Sequence, residues 1–230
     1  MISEPDSYRY TAFVSYRHRL PDTDWARWLQ EALETFETPP ALVSEGYPKV
    51  LGDVFVDDTE MAAASELTKE LRTALWSSRF LIVVCSPGTP HSPWVRAEIT
   101  HFQHWGREDR ILALLVEGNP DEAYPPELRR MRMVGEGPDA TMEVMEPAGA
   151  SVTEVQDKIE EELKALARDR FAAAILGCDF ARLRDRQEER LRKATSTRYF
   201  HALVRRRGAP EGVGEVTAEA ARRRYRTYRF

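Results

Sequence analysis

FLIVVC, residues 80–85, is an uninterrupted apolar run that is rich in β-branched residues. A strand of this composition is typical of a parallel sheet whose two faces are both covered by helices. A second run of the same kind, ILALLV, occupies residues 111–116. Both runs are far shorter than the ~20 residues that cross a bilayer, so we expect no transmembrane segment. Together they predict a buried parallel sheet in a soluble protein.

Helical patterns alternate with predicted strands from residue 10 to the second of these runs. Two further strands are predicted, YTAFVSY at 10–16 and VFV at 54–56. Three helices are predicted between the strands from their apolar period and their caps. The first helix is indicated by an apolar period from Trp25 to Phe36 and ends before Pro39. The second begins at the N-cap Ser65, and the third begins at Ser92-Pro93 and runs to about Trp105.

The chain beyond residue 116 is predicted to be rich in loops up to one last helix. Glycine and proline are frequent from Pro120 to Gly149. The sequence SVTE at 151–154 has the form of a capping box, which predicts a helix ending near Gly177. Strands alternating with helices over residues 10–176 predict a flavodoxin-like, doubly wound parallel α/β sheet. In such sheets, ligands bind beyond the carboxyl ends of the strands.

Composition indicates an intracellular globular protein. The 230 residues suffice for one well-buried domain with an appendage, or for two small domains. The two cysteines, Cys85 and Cys178, form neither a disulfide framework nor a metal-ligand set, which favours a reducing compartment. The N-terminal sequence MISEPDSYRY lacks the pattern of a secretion signal. We therefore expect a cytoplasmic location.

The two parts of the chain carry opposite charge. Residues 1–179 hold 18 Lys and Arg against 32 Asp and Glu, a net charge of −14, and residues 180–230 hold 15 against 6, a net charge of +9. Residues 177–230 are accordingly predicted to form a basic, helical C-terminal extension. Arginines and aromatic residues alternate at 225–230, a mixture that can bind single-stranded nucleic acid. The favoured interpretation is instead that the extension docks on the acidic body or on a neighbouring subunit.

Polar residues follow three of the predicted strands at the edge where ligands are expected. They lie in the ranges 15–18, 57–60 and 86–94. The histidines near the third of these ranges, at 91, 101 and 104, lack accompanying cysteine or acidic ligands, so no metal site is predicted. Neither a P-loop nor a G-x-G-x-x-G fingerprint occurs. The site is therefore predicted to be a cleft that holds a substrate, without a bound metal.

Four motifs in this order resemble those of Toll/interleukin-1 receptor (TIR) domains. They are FVSYR at 13–17, VFVD at 54–57, FLIVVCSP at 80–87, and Ser92-x-Trp94-x-x-x-Glu98-Ile99. The resemblance covers residues 8–176 and is closest to bacterial TIR proteins, including those of antiphage defence. It places FLIVVCSP as the fourth strand. Where the family usually has glycine in the loop after the second strand, this chain has MAAAS at 61–65, which predicts a stiffer or partly helical loop.

In TIR domains that cleave NAD+, the fourth motif carries the catalytic glutamate, and the resemblance assigns that role to Glu98. It also implies a set of substrate-binding residues: Ser15, Tyr16, Arg17, Asp57, Ser86 and Trp94. Helical spacing predicts that an apolar stripe of Val95, Ile99 and Phe102 faces the sheet. Glu98 belongs to the neighbouring stripe and is predicted to lie at the rim of the core.

Several of these substrate-binding roles have a plain structural alternative. Arg17 would lie near the phosphates of the substrate or be a solvated loop arginine. Trp94 would form a pocket wall or pack in the core. Asp57 is favoured as a structural partner of the loop after the first strand. Ser15 and Ser86 would offer hydroxyls to the ligand or cap strand ends.

The chemistry implied by the resemblance needs a single carboxylate. Cleavage of the nicotinamide–ribose bond passes through an oxocarbenium-like state, as glycoside hydrolysis does, and nicotinamide leaves as a neutral molecule. NAD+ would be a substrate, and no cofactor is expected. The products would be nicotinamide with ADP-ribose, a cyclic isomer or a conjugate.

The resemblance also implies partners: homo-oligomers formed through TIR–TIR contacts, and an effector or sensor protein. The alternative is a non-enzymatic adaptor that binds other TIR domains.

Overall fold

The computed structural model describes residues 5, 7–57, 69–134, 141–145, 148–153 and 160–192, with backbone alone at 130–134 and 141–145. The strands are β1 Tyr10–Ser15, β2 Val54–Val56, β3 Ser78–Cys85, β4 Ile111–Leu115, β5 Arg130–Val134, β6 Thr141–Met145 and β7 Gly149–Ser151. The helices are α1 Asp22–Glu34, α2 Pro40–Ser44, α3 Lys69–Trp76, α4 Pro93–His104, α5 Pro120–Ala123 and α6 Glu160–Leu176. A further helix, α7, covers 180–192.

Five strands form one parallel sheet in the order β2-β1-β3-β4-β7. This order is that of a flavodoxin-like fold, so the predicted doubly wound α/β class is confirmed. The strand β3 lies at the centre, and its residues from Phe80 to Cys85 are buried on both faces, as the apolar run predicts. The resemblance placed this segment as the fourth strand, whereas it is the third along the described chain.

Helices cover both faces of the sheet because side chains alternate along each strand. In β1, Ala12 and Val14 belong to a core that also contains Leu29 of α1 and Phe171 of α6. Phe13, between them, points to the opposite core, where α3 and α4 pack. The parity of a residue in β1 therefore decides which layer of helices its side chain meets.

The outer edge of β2 is covered by side chains of α1. Gln30 Nε2 donates to Val54 O over 2.9 Å, and Glu34 Oε1 accepts from Val54 N over 3.0 Å. These bonds satisfy backbone groups on the side of β2 that faces away from β1, where the described residues contribute no further strand. One turn of α1 thus holds the edge strand of the sheet.

A buried arginine ties the end of α4 to the beginning of β3. Arg107 is fully buried, and its Nη1 donates to Trp76 O over 2.9 Å and to Ser78 O over 3.2 Å. Its guanidinium also faces the rings of Trp76 and Trp105, with distances of 4.5 and 5.4 Å to the ring centroids. The positive charge of Arg107 is therefore stabilised by carbonyl oxygens and by the faces of aromatic rings.

Two predictions about the C-terminal half are wrong. The stretch predicted to be loops contains the short helix α5 and an antiparallel pair, β5 and β6, in which Arg130 faces Met145. Ser151 ends strand β7, where it pairs with Leu115, so it does not cap a helix. The pairing of β7 with β4 decides its conformation, which a local capping pattern cannot anticipate. The predicted N-cap Ser65 and the loop at 61–65 lie outside the described residues.

The predicted C-terminal extension begins as a helix. Asp179 Oδ1 accepts from the backbone N–H of Arg182 over 2.9 Å and so caps the start of α7. Leu183 is fully buried in the same core as Phe171. Residues up to Arg186 form one compact unit, and residues from Gln187 form a second, of which 187–192 are described. None of the helices in the described ranges is both long enough and apolar enough for a membrane crossing.

Candidate functional site at the carboxyl edge of the sheet

Three strands end together at the edge where the sequence predicts a ligand. Val14 of β1 pairs with Val56 of β2, and Ser15 pairs with Val83 of β3. Asp57 follows β2 directly, so it comes beside Ser15 at this edge. Ser86 follows β3 and reaches the same edge. The sheet therefore brings together three of the predicted substrate-binding residues.

The helix α4 carries Glu98 over this edge. Ser92 is its N-cap, and Ser92 Oγ accepts from the backbone N–H of Val95 over 3.5 Å, as predicted. Val95 and Ile99 are fully buried against the sheet, which confirms the predicted apolar stripe. Glu98, predicted to lie at the rim, is instead buried, with 7% of its surface exposed. The small hydroxyl-bearing Ser15 leaves room for this carboxyl where a larger apolar side chain would fill the space.

Burial controls the charge of the Glu98 side chain. Desolvation raises the pKa of Glu98 from its ordinary 4.5 to about 8, the nearby Asp57 carboxylate adds to the rise, and the Ser15 hydroxyl opposes it. At neutral pH, with no cation nearby, the Glu98 carboxyl therefore holds its proton for most of the time. A positive charge placed in the cleft would favour the ionised form, so the site is suited to a cationic group.

The Ser15 hydroxyl is buried against this carboxyl. Ser15 is 1% exposed, and its Oγ has no hydrogen-bond partner of standard geometry among the residues that the structure describes. It nevertheless lies close enough to Glu98 to lower the pKa of that carboxyl. Ser15 thus places a hydroxyl donor beside the buried acid.

Asp57 is tied to the loop that follows β1. The hydroxyl of Tyr16 donates to Asp57 O over 2.7 Å, and His18 Nε2 lies 4.0 Å from Asp57 Oδ2. The His18 ring stacks on Tyr16 with centroids 4.7 Å apart. This arrangement fits the structural role that the sequence favoured for Asp57, and it also fixes the carboxylate beside Glu98. The ring of Tyr16 itself packs in the core on the α1 side of the sheet.

Arg17 and Ser86 belong to a buried polar cluster with Asp22. Arg17 Nε donates to Asp22 Oδ2 over 2.8 Å, and Arg17 Nη2 donates to Ser86 Oγ over 2.7 Å. Ser86 Oγ donates to Asp22 Oδ2 over 2.9 Å. The guanidinium lies directly on Gly88, where a Cβ would come within 1.7 Å of Nη1. Arg17 is thus held by a carboxylate of its own chain, and a contact with substrate phosphates stays a prediction.

Asp22 is the residue of this edge that sequence reasoning missed. It is fully buried at the first position of α1. Its partners lie five and 64 residues away along the chain. The available signal was an acidic residue directly after Pro21, which resembles an ordinary exposed helix start.

Trp94 precedes Glu98 by one helical turn. Its ring is partly buried and packs against the core on the α4 side of the sheet. Core packing, the plain structural alternative for Trp94, is therefore present for part of its surface, and the role as a pocket wall stays a prediction. Farther along α4, His101 stacks on Trp105 at 5.9 Å. Within the described ranges, no group of three His, Cys, Asp or Glu side chains could hold a metal ion.

Comparisons with a family profile, with characterised proteins and with solved structures each found similar proteins. A family profile described as the TIR domain matches residues 12–143, more than half of the chain. The NAD(+) hydrolase ApTIR of Actinoplanes sp. is 33% identical over 116 residues, which cover 48% of this chain and 14% of that protein. The TIR domains in the activated Roq1 resistosome directly recognizing the pathogen effector XopQ match with 22% identity and a TM-score of 0.33. That match covers 49% of this chain and 60% of the solved chain.

Proposed function

The chain belongs to the TIR-domain family, and from that premise we propose that it cleaves NAD+ between nicotinamide and ribose, with Glu98 as the catalytic carboxylate. The observation that carries the proposal is the Glu98 carboxyl itself, buried at the carboxyl edge of the sheet beside Ser15 and Asp57. The relative from Actinoplanes sp. is named as an NAD(+) hydrolase, and this supports the same substrate here.

The reaction breaks the glycosidic bond between the ribose carbon and the pyridinium nitrogen. The bonding electron pair goes to the nitrogen, so nicotinamide leaves as a neutral molecule and positive charge develops on the ribose. A fixed carboxylate near that carbon stabilises the developing cation. Glu98 needs no proton for this role, and it must be ionised when the bond breaks.

The substrate itself helps to supply the ionised carboxylate. The pyridinium ring of NAD+ is cationic, and a cation beside Glu98 offsets the desolvation that raises the pKa of this group. The proton leaves as the substrate binds, and the negative charge is then present where it is used. Asp57 and Trp94 are the neighbours that would contact the nicotinamide riboside end, and the buried Ser15 hydroxyl would act on the substrate through Glu98. Tyr16, Arg17 and Ser86 hold the strand ends on which the cleft is built.

The second reactant determines the product. Water gives ADP-ribose, an adenine nitrogen of the same molecule gives a cyclic isomer, and an external nucleophile gives a conjugate. We propose that one of these products acts as a signal in bacterial immunity. Support for this role comes from the motifs that resemble defence-associated TIR proteins. NAD+ is the substrate and no cofactor takes part. We further propose that the protein is cytoplasmic, that it assembles through TIR–TIR contacts, and that an effector or sensor protein switches it on.

The test is NAD+ consumption by the full chain at high protein concentration, with nicotinamide measured by chromatography. Glu98→Gln should lower turnover by roughly 10²- to 10³-fold, the usual cost of removing one well-aimed electrostatic group. Glu31→Gln, which alters an exposed glutamate of α1, is the matched control and should leave turnover unchanged. Equal turnover by the wild type and Glu98→Gln would exclude the assigned role. Absence of turnover in every protein would favour the adaptor alternative.

A further inference from the structure

Ser15 occupies a position where an apolar residue would be expected. It lies two residues after Phe13 in β1, so its side chain points to the same face of the sheet, toward α4. Its neighbour across the strands is Val83, and the helix residues above are Val95 and Ile99, all fully buried. Burying a hydroxyl without a firm partner costs about 1–3 kcal/mol. An alanine would fit the same space without that cost, so the hydroxyl itself requires an explanation.

The groups that surround Glu98 act on its charge with opposite sign. Val14 pairs with Val56, so Ser15 and Asp57 stand at the ends of neighbouring strands, and each comes two residues after a phenylalanine of the core on the α4 side, Phe13 or Phe55. From this position the Ser15 hydroxyl favours the ionised carboxylate of Glu98, and the Asp57 carboxylate favours the protonated form. His18 Nε2 lies 4.0 Å from Asp57 Oδ2. The central strand β3 contributes apolar side chains to this face, and α4 itself places His101 one turn beyond Glu98. Among these described neighbours, a donor and an acid therefore compete at one carboxyl.

We propose that Ser15 and Asp57 are an opposed pair of positioning residues that set the protonation state of Glu98. Ser15 donates its hydroxyl hydrogen to the carboxylate and keeps the ionised form accessible. Asp57 repels that carboxylate and keeps it protonated until a cation enters the cleft. The catalytic consequence rests on the proposed function, because only NAD+ cleavage would use the charge of Glu98. The protonation state of Glu98 does not depend on that function.

The opposed signs give a test that needs no enzymatic activity. The carboxyl carbons of ¹³C-labelled glutamates in the full chain would be titrated by NMR, with the Glu98 resonance identified by its loss in Glu98→Gln. Ser15→Ala should move the Glu98 midpoint to higher pH, and Asp57→Asn should move it to lower pH. Each shift should be about 0.5–1 pH unit, a three- to tenfold change in the ionisation constant. The hydrogen bond from the Tyr16 hydroxyl to the backbone carbonyl of residue 57 remains in Asp57→Asn, so that variant keeps the local fold.

Matched control variants distinguish the effect of Ser15 and Asp57 from a general effect of removing polar groups. Ser44→Ala and Asp24→Asn alter an exposed serine and an exposed aspartate, and neither should move the Glu98 midpoint. If NAD+ is cleaved, the acidic limb of the kcat/KM profile should follow the NMR midpoints in Ser15→Ala and Asp57→Asn. An unchanged midpoint in Ser15→Ala, or a rise in Asp57→Asn, would overturn the proposal. Correct midpoint shifts without NAD+ cleavage would support the pair and count against the proposed function alone.

Discussion

Arg17 Nε donates a hydrogen bond to Asp22 Oδ2 over 2.8 Å, and the accepting carboxylate is fully buried. The bond joins the loop after β1 to the first residue of α1. Because Ser86 bonds to both side chains, the end of β3 is fixed to the same point. The carboxyl ends of β1 and β3 are thus held together by one ion pair.

Asp22→Ala should destabilise the protein by about 2–4 kcal/mol, because it leaves the Arg17 charge in a poorly solvated place and Ser86 without its acceptor. The free energy of unfolding would be measured by urea denaturation. Glu188→Ala removes one partner of an exposed pair with Arg192 and is the control, with an expected loss of about 0–0.5 kcal/mol. Similar losses in both variants would show that the buried pair has no special importance.

Glu98→Gln should make the protein more stable than the wild type at alkaline pH. The pKa of Glu98 is about 8 in the folded chain and near its ordinary 4.5 in the unfolded chain. The folded state therefore binds more protons between these values, and wild-type stability falls as pH rises from about 4.5 to about 8. A glutamine carries no such penalty, so the gain should reach about 1–3 kcal/mol above pH 8. Melting curves across this pH range provide the measurement, with Glu31→Gln as the control.

The expected gain in stability follows from the burial of Glu98, which the sequence did not predict. Helical spacing placed Val95 and Ile99 toward the sheet correctly, because that inference needs only the geometry of one helix. It placed Glu98 at the rim, because the depth of a neighbouring stripe depends on which side chains lie beneath it. Those side chains belong to β1 and β2, and only the sheet order brings Ser15 and Asp57 under α4. The positions of Ser15, Asp57 and Glu98 along the sequence do not indicate that they lie close together.

The same limit explains the other differences. The strand at 80–85 was predictable from local composition because burial on both faces leaves an unbroken apolar run. Asp22 was missed because its bonding depends on Ser86, far away in the chain, and Ser151 was misjudged because its strand conformation depends on pairing with Leu115. Motifs in the correct order identified the family and the edge of the sheet. They did not reveal the bonds that hold that edge.

Leu183→Ala should destabilise the compact unit although Leu183 lies beyond the predicted domain boundary at 176. Its side chain is fully buried, and removing three buried carbon atoms typically costs about 2–5 kcal/mol. Leu191→Ala, on the same helix, is the control because Leu191 is 65% exposed, and its cost should stay within about 0.5 kcal/mol. Urea denaturation compares the two. The same contrast predicts that a chain ending at 192 is more stable than one ending at 179.

Arg107→Lys should cost about 1–3 kcal/mol, because an ammonium group cannot both stack on Trp76 and Trp105 and bond two carbonyl oxygens. Arg79→Lys is the matched control. Arg79 is exposed, and its guanidinium lies 5.2 Å from the centroid of the Phe80 ring. Its replacement should change the free energy of unfolding by less than about 0.5 kcal/mol. Equal effects would show that burial of the Arg107 stack contributes nothing.

Specific activity should rise with protein concentration and fall in high salt if catalysis requires self-association. The acidic residues 1–179 and the basic residues 180–230 favour electrostatic contacts between chains, and salt screens such contacts. Turnover would be measured over a hundredfold dilution at two ionic strengths, alongside the molecular mass by light scattering. Constant specific activity across the dilution would contradict a required assembly.

The bonds from Gln30 and Glu34 to Val54 bear on the form that such an assembly takes. Open strand edges let subunits add to one another through continuous backbone pairing, which is difficult to reverse. At Val54 that docking position is already occupied by the subunit's own helix. Backbone pairing between subunits is therefore blocked at Val54, and a contact made there would use side chains. Side-chain contacts separate more readily than a continuous ladder of backbone hydrogen bonds.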